Sequence, residues 1–64
     1  PMTFVQKFNQ LNRILIPLIG EENVEIWWNS PNKAFEDTPP IHFIRTDFNK
    51  VKSYLVEQYA GNYS

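Results

Sequence analysis

The side chains that could build a catalytic site in this sequence are few and widely spaced. The single histidine is His42, and a serine–histidine–acid set could be drawn with Ser30 or Ser53 and with Asp37 or Asp47. Such a set needs a nucleophile that is hydrogen-bonded to a base, which a third group orients, and almost any sequence permits such a set to be drawn. We interpret His42 as a partly exposed residue on a helix surface, and we predict that the chain is not an enzyme.

Ligand-binding motifs are equally sparse. With no cysteine and one histidine the sequence offers no structural zinc set. The carboxylates of Glu21, Glu22 and Glu25 lie at a predicted helix start without a histidine that would complete a metal site. Gly20 and Gly61 are the glycines of the chain, so it has no glycine-rich phosphate loop. We predict no metal and no cofactor.

The charge balance disfavours nucleic acid as the main partner. Six Lys and Arg residues against seven Asp and Glu residues give a net charge of −1, whereas a protein that neutralises several phosphates presents a basic face. The apolar runs are too short to span a membrane, and the N-terminus lacks the cationic head of a signal peptide. We therefore expect a cytoplasmic protein that binds neither nucleic acid nor membrane.

The small size of the chain makes its source of stability a question. Sixty-four residues form one domain at most, and a domain of this size buries only about 60% of the surface that its unfolded chain exposes. Disulfides are excluded because there is no cysteine, while aromatic residues make up 16% of the chain. Dense aromatic packing, self-association or burial against another protein must therefore stabilise the fold.

The first segment of the chain predicts an amphipathic helix. Thr3 and Gln6 have the spacing of a capping box. Apolar residues then recur at helical spacing, at Phe4, Phe8, Leu11, Leu15 and Leu18. Proline disfavours helical geometry in the residue before it, so we expect the helix to end or kink at Ile16, with Gly20 completing the break.

The remainder of the chain predicts further helices. A second helix should run from Glu21 to Asn29, and a last one should begin at Thr46 or Asp47 and stop at Gly61. The one alternating stretch, at residues 41–44, is too short for a strand. The sequence therefore predicts an all-α fold, a small bundle of three main helices plus one or two short helical turns. It forms a single domain over residues 3–61 with a tail at 62–64.

Between these helices, residues 30–45 predict a compact irregular segment, which we call the elbow. Ser30-Pro31 ends the second helix and can start a short turn through Phe35, with Ser30 as the N-cap. Thr38-Pro39-Pro40 repeats this pattern for a short helix from Pro40 to Arg45. The elbow is expected to turn the chain twice within a few residues.

Two groups of aromatic residues are candidates for partner contact. Trp27 and Trp28 are consecutive, so they point about 100° apart on a helix; we expect one to anchor the core and the other to lie at its edge or under a partner. Tyr54, Tyr59 and Tyr63 follow the last helix into the tail. Tyr63 lies beyond Gly61, where burial within the chain itself is least assured.

The stretch from Trp27 to Ile44 resembles the signature of the Xre/MbcA/ParS antitoxin toxin-binding domain. The residues that match the family pattern without a gap are Trp27, Trp28, Pro31, Asn32, Phe35, Pro40, Ile41, Phe43 and Ile44. We interpret Trp27, Pro31, Asn32, Phe35 and Pro40 as the scaffold of the motif. The main departure is Glu36-Asp37, which stands where the family pattern has two glycines.

The resemblance implies a non-catalytic module with a protein partner. Domains of this family form helical bundles that self-associate, and their last helix and C-terminal tail occlude the active site of a cognate toxin, commonly an NAD-consuming enzyme of the RES type. Family members often carry a helix-turn-helix DNA-binding domain before this module. Two residues precede Thr3 here, so we expect that half to be missing.

Two hypotheses of function follow from the sequence. In the first, the chain binds and occludes a toxin, and the candidate contact residues are Trp28, Arg45, Tyr59, Asn62, Tyr63 and Ser64. In the second, the chain is a self-associating structural or adaptor module, in which Trp28 and the apolar stripe of the first helix are buried in a homo-oligomer.

Overall fold

A computed structural model describes residues 1–61 of the chain, which form an all-α domain. The helices are α1 (Phe4–Ile19), α2 (Val24–Asn29), α3 (Phe43–Thr46) and α4 (Phe48–Gly61), with 3₁₀ helices at Glu21–Asn23, Lys33–Phe35 and Pro40–His42. Within residues 1–61 the β-structure consists of an isolated bridge between Asn32 and Thr38. The predicted fold class, three main helices with short helical turns, is confirmed.

Helix α1 begins with the predicted capping box. The Gln6 backbone N–H donates to the Thr3 hydroxyl at 3.1 Å, and the Thr3 N–H donates to Gln6 Oε1 at 2.8 Å. These bonds satisfy backbone donors that the first turn of a helix leaves free. The apolar stripe faces inward and buries Leu11 and Leu15.

We predicted that α1 ends or kinks at Ile16, and the first of these alternatives is wrong, because the helix runs through Pro17 to Ile19. A proline this close to the C-terminal end removes one backbone donor but leaves the following bonds intact. The Gly20 N–H donates to the Ile16 carbonyl at 2.9 Å and closes the last turn. Gly20 then breaks the helix as predicted, with a φ of 87°. A side chain would be strained there because residues with a Cβ rarely adopt a φ in this range.

The second predicted helix is divided into two parts. Its first turn, Glu21–Asn23, is a 3₁₀ helix, and the α-helix begins at Val24. Trp28 points into the core from this helix with 1% of its surface exposed, while Trp27 is half-buried beside it. Ile26 lies on the outer side and is 63% exposed.

The elbow has its predicted position but different caps. Asn32 is the N-cap of its first 3₁₀ helix, since Asn32 Oδ1 accepts from the Ala34 N–H at 2.9 Å. The predicted cap, Ser30, instead donates its hydroxyl to the Ile26 carbonyl at 2.6 Å at the end of α2. Pro40 starts the second 3₁₀ helix as predicted, and α3 continues it to Thr46.

Asp47, rather than Thr46, caps α4. Asp47 Oδ1 accepts from the Lys50 N–H at 3.3 Å, whereas the Thr46 hydroxyl donates back to the His42 carbonyl at 3.2 Å. A side-chain oxygen that accepts from the first turn is the usual N-cap arrangement. Helix α4 is described as far as Gly61, so the structure does not test whether Gly61 stops it.

The core combines one or two residues from each α-helix with one from the 3₁₀ helix Lys33–Phe35. Its fully buried members are Leu11, Leu15, Trp28, Phe35, Ile44, Val51 and Leu55. Aromatic rings surround this cluster: Trp27 lies edge-on to Trp28 with centroids 5.0 Å apart, and Tyr54 lies edge-on to Phe35 at 5.2 Å. Most of the aromatic residues therefore stabilise the domain itself.

Helices α1 and α4 pack side by side and run in the same direction. Lys7, near the start of α1, lies over the ring of Phe48 at the start of α4, with its Nζ 5.7 Å from the ring centroid. At the other end, Pro17 of α1 and Tyr59 of α4 line the same groove. Corresponding ends of the two helices therefore lie at the same end of the domain.

Candidate protein-binding surface

An apolar groove lies between the C-terminal halves of α1 and α4. We call it the α1–α4 groove and define it by Arg13, Ile14, Pro17, Val56 and Tyr59, which enclose about 180 Å³. Val56 is 46% exposed and Tyr59 is 40% exposed. Exposed aliphatic and aromatic side chains next to each other are typical of protein-binding surfaces.

The helical register explains why this groove is open. The inward stripe of α4 carries Val51 and Leu55, which are buried. Val56 follows Leu55 directly, so its side chain is rotated by about 100° away from the core. On α1, Pro17 is exposed for the same reason, two residues after the buried Leu15.

A second hollow lies on the other side of α4. It has a volume of about 240 Å³ and is lined by Leu15, Leu18, Ile19, Trp27, Tyr54, Leu55 and Gln58. Trp27 and Tyr54 are stacked there with centroids 6.5 Å apart. Most of its lining residues are buried or half-buried, so this hollow is mainly an indentation of the core.

The predicted contact residues Trp28 and Tyr59 differ in exposure: one is buried in the core and the other lies at the surface. Trp28 is 1% exposed and its indole N–H donates to Asn12 Oδ1 at 2.7 Å. The expectation that Trp28 contacts a partner is therefore corrected: the inward stripe of α2 places it in the core. Tyr59 lies in the α1–α4 groove.

Arg45 lies at the other end of the domain from Tyr59. Its guanidinium carbon is 4.8 Å from the centroid of the Phe4 ring, at the start of α1. Phe4 and Pro17 are separated by about 20 Å along the helix axis at 1.5 Å per residue. The structure therefore separates these two predicted contact residues along the length of the domain. Asn62, Tyr63 and Ser64 lie outside the described residues.

The residues that we predicted to act as scaffold lie in the elbow and the core. Phe35 and Pro40 are buried, Trp27 packs against Phe35 with centroids 6.1 Å apart, and Pro31 is exposed. The Asn32 carbonyl accepts from the N–H groups of Phe35 and Asp37, at 2.9 Å and 3.0 Å. A single residue thus fixes both ends of this turn.

The backbone at Glu36 and Asp37 is unusual. Glu36 and Asp37 have φ angles of 59° and 60° and are the non-glycine residues with positive φ in the described part of the chain. This left-handed region is sterically costly for residues with a Cβ and favours glycine. These two residues therefore adopt a conformation that is typical of glycine.

Catalytic and metal-binding candidates are not assembled into a site. His42 is exposed, and the Ser30 hydroxyl is bonded to the Ile26 carbonyl. Residues 1–61 contain no cluster of three or more His, Cys, Asp or Glu side chains that could hold a metal ion. In the same part of the chain, every helix is too short or too polar to cross a membrane.

Charge is distributed unevenly along α1 and α4. Lys7 and Arg45 lie at the end of the domain where these helices start. Glu21 and Glu22 follow the end of α1, and Glu57 adjoins Val56 near the end of α4. The ion pair found among residues 1–61 joins Lys50 and Glu36, with Nζ and Oε1 3.5 Å apart, so it involves neither set.

Sequence reasoning missed Ile14, Pro17 and Val56 as surface residues. Val56 carried a signal, since it is an apolar residue outside the inward stripe of α4. The groove itself needs the relative direction of α1 and α4, which hydrophobic periodicity does not specify. No protein-family model, curated protein or solved structure matches this chain.

Proposed function

We propose that the chain is a non-catalytic protein-binding module that neutralises a toxin, resembling the toxin-binding domain of Xre/MbcA/ParS antitoxins. The observation that carries the proposal is the left-handed backbone of Glu36 and Asp37. These are the positions where the family pattern has two glycines, and a turn that requires this geometry is the physical reason for glycine there.

The roles of the motif residues support the same proposal. Asn32 closes the turn by accepting hydrogen bonds from Ala34, Phe35 and Asp37, and Phe35 fills the core. Both motif residues therefore have a structural role in the elbow. It acts as scaffold, so the contact with a partner is made elsewhere on the domain.

The α1–α4 groove is the surface that we assign to the partner. It carries Tyr59 on the last helix, the element that the family resemblance implies, and its apolar side chains are accessible. The partner is a toxin, of the NAD-consuming RES type that the resemblance implies, and the tail residues Asn62, Tyr63 and Ser64 take part in the contact.

Co-expression with the product of an adjacent gene tests the proposal. The two proteins should copurify, and this chain should restore growth when the neighbouring product is toxic. Val56→Lys places a charge in the groove and should weaken the complex at least about 10-fold. Ile26→Ser changes an even more exposed apolar residue outside the groove and should leave binding unchanged.

Two outcomes would contradict the proposal. If a toxic neighbouring product neither copurifies with this chain nor is neutralised by it, the antitoxin function is wrong. If a complex forms and Val56→Lys and Ile26→Ser bind equally well, the groove is not its contact surface.

A further inference from the structure

We infer that the partner element bound by the α1–α4 groove is an amphipathic helix with carboxylates one turn away from its apolar residues. The inference rests on the proposed function, which assigns the groove to a protein partner, and it adds the chemistry of the segment that enters. It is carried by the distribution of charge along the chain, by two cations beside the groove and by the apolar groove itself.

Charge is segregated along the chain although its net value is only −1. Helices α1 and α4 contain Lys7, Arg13, Lys50 and Lys52 but a single carboxylate, that of Glu57. All other acidic residues of the chain lie in the segment that connects the two helices. The surface that α1 and α4 form together is therefore basic and attracts a partner of negative charge.

Two of these cations lie beside the groove. Arg13 is exposed and lines the groove wall. Lys52 is one turn before Val56 on the same face of α4. The ion pair within residues 1–61 joins Lys50 and Glu36, so neither Arg13 nor Lys52 is neutralised by a carboxylate of that part of the chain.

The carboxylate on α4 points away from the groove. Glu57 follows Val56 directly and precedes Tyr59 by two positions, so its side chain is rotated by about 100° from the first and about 160° from the second. Within α1 and α4, the residues one turn before and one turn after the groove residues include no Asp or Glu. A carboxylate that pairs with Arg13 and Lys52 would therefore come from the partner, in charge-assisted hydrogen bonds.

The spacing of cations and apolar residues determines the pattern of the partner. Arg13 is one turn before Pro17, and Lys52 is one turn before Val56, a distance of about 6 Å along each helix axis. An aliphatic side chain of the partner fits the groove of about 180 Å³ between Pro17 and Val56. A carboxylate one turn away on the same helix face then reaches both cations.

The contact continues along the outer face of α1. Arg13 also lines a second hollow of about 410 Å³, together with Met2, Gln6, Asn9 and Gln10. This lining again contains a cation and no carboxylate, and its side-chain amides can donate hydrogen bonds to acidic side chains. A helix that leaves the groove along α1 therefore meets a surface suited to further carboxylates.

A helix fits this surface better than an extended peptide or nucleic acid. The walls of the groove are helices, so they offer no strand edge to the unpaired backbone of an extended peptide, whereas a helix pairs its own backbone groups. Nucleic acid binds mainly through its phosphates. The exposed apolar side chains of Val56 and Tyr59 would gain nothing from phosphates, but they bury apolar surface against a helix.

Titration of the chain with designed helical peptides tests this inference. The probe is an alanine-based peptide, blocked at both termini, with two leucines one turn apart and a glutamate one turn before and one turn after them. Its charge pattern is the same in either orientation in the groove. The matched peptide has lysines in place of the glutamates. At about 20 mM salt, backbone amide shifts measured by NMR should change saturably around the groove, and the glutamate peptide should bind at least about 10-fold more tightly than the lysine peptide.

Charge reversal at the groove should change this preference. Arg13→Glu should lower the ratio of the two affinities to about 1, and Arg13→Glu combined with Lys52→Glu should make the lysine peptide the tighter ligand. Lys33→Glu is the matched control, because it changes the net charge equally at an exposed position of the elbow. It should keep the preference for the glutamate peptide. Circular dichroism verifies that each variant is folded.

Several results would overturn the inference. One is equal binding of both peptides by the wild type, or no saturable shift at the groove with either. Another is a loss of preference in Lys33→Glu as large as that in Arg13→Glu, since net charge alone would then explain it. Groove shifts that depend on the concentration of the chain without peptide would assign the groove to a second copy. Equal shifts on addition of a DNA duplex would assign it to nucleic acid.

The peptide experiment and the toxin experiment fail separately. Neutralisation of a toxin without selective binding of the glutamate peptide would overturn this inference and leave the proposed function intact. Selective peptide binding by a chain that neutralises no toxin would support the acidic helix as ligand and contradict the antitoxin function.

Discussion

A single polar contact holds the largest core residue in place. The Trp28 indole N–H donates to Asn12 Oδ1 at 2.7 Å, across the contact between α1 and α2. Trp28 is almost completely buried, so its N–H has no access to water. Without Asn12, a buried donor would lose its partner.

We expect Asn12→Ala to destabilise the domain by about 1–3 kcal/mol, which is the typical cost of leaving a buried donor unpaired. Urea denaturation followed by tryptophan fluorescence measures this change. Asn9→Ala is the control, because Asn9 is an exposed residue of the same helix. Equal midpoints for the two variants would show that the hydrogen bond contributes nothing to stability.

At the residue scale this pairing could not be predicted from the sequence. Helical spacing predicts that Leu11 and Leu15 face the core, which is confirmed, and places Asn12 next to that stripe. The hydrogen bond depends on how α2 packs against α1. Local patterns carry no information about such a contact between elements.

At the scale of elements, the elbow holds two residues in an unfavourable backbone conformation. Glu36 and Asp37 both have positive φ. Hydrogen bonds from Phe35 and Asp37 to the Asn32 carbonyl compensate for the cost. The native turn is therefore retained although its sequence is not optimal for it.

Asp37→Gly should stabilise the domain by about 1 kcal/mol, because glycine adopts this conformation without a steric penalty. Asp37→Ala should destabilise the domain, since aspartate tolerates left-handed geometry better than alanine. Thermal unfolding followed by circular dichroism compares the three proteins. A lower melting temperature for Asp37→Gly than for the wild type would contradict this account of the turn.

The ends of helices were predictable where a residue has one preferred role at a helix end. Thr3 and Gln6 cap α1 as expected, and Pro40 begins a helical turn as expected. Ser30 and Pro17 have alternative uses: Ser30 bonds back to α2 and Pro17 is accommodated in the last turn of α1. Tertiary packing decides between these uses, so the sequence predicted the place of the elbow better than its hydrogen bonds.

At the scale of the whole molecule, stability depends on a small set of side chains. A chain of 64 residues has a total stability of only about 3–10 kcal/mol. Replacing a buried phenylalanine by alanine costs about 3–5 kcal/mol. The loss of a single core side chain can therefore remove a large share of the free energy of unfolding.

Phe35→Ala should leave most of the chain unfolded at room temperature, because Phe35 is fully buried and contacts Trp27, Phe43 and Tyr54. The loss of helical circular dichroism measures this effect. Ile26→Ala, at an exposed position of α2, should keep the full signal. A Phe35→Ala protein as helical as the wild type would show that the core tolerates the cavity.

The same reasoning changes how Trp28 can be studied. A Trp28→Ala variant removes a core residue, so it tests folding and gives no information about a dimer contact. Trp28 is buried within the chain, as are Leu11 and Leu15 of the α1 stripe, whereas Phe4, Phe8 and Leu18 of that stripe are half-buried.

The parallel arrangement of the first and last helices has a consequence for folding kinetics. Leu15 and Leu55 line the same hollow, so their contact joins residues separated by most of the chain. Bringing such residues together requires closure of a long loop, which slows folding relative to a bundle of neighbouring antiparallel helices.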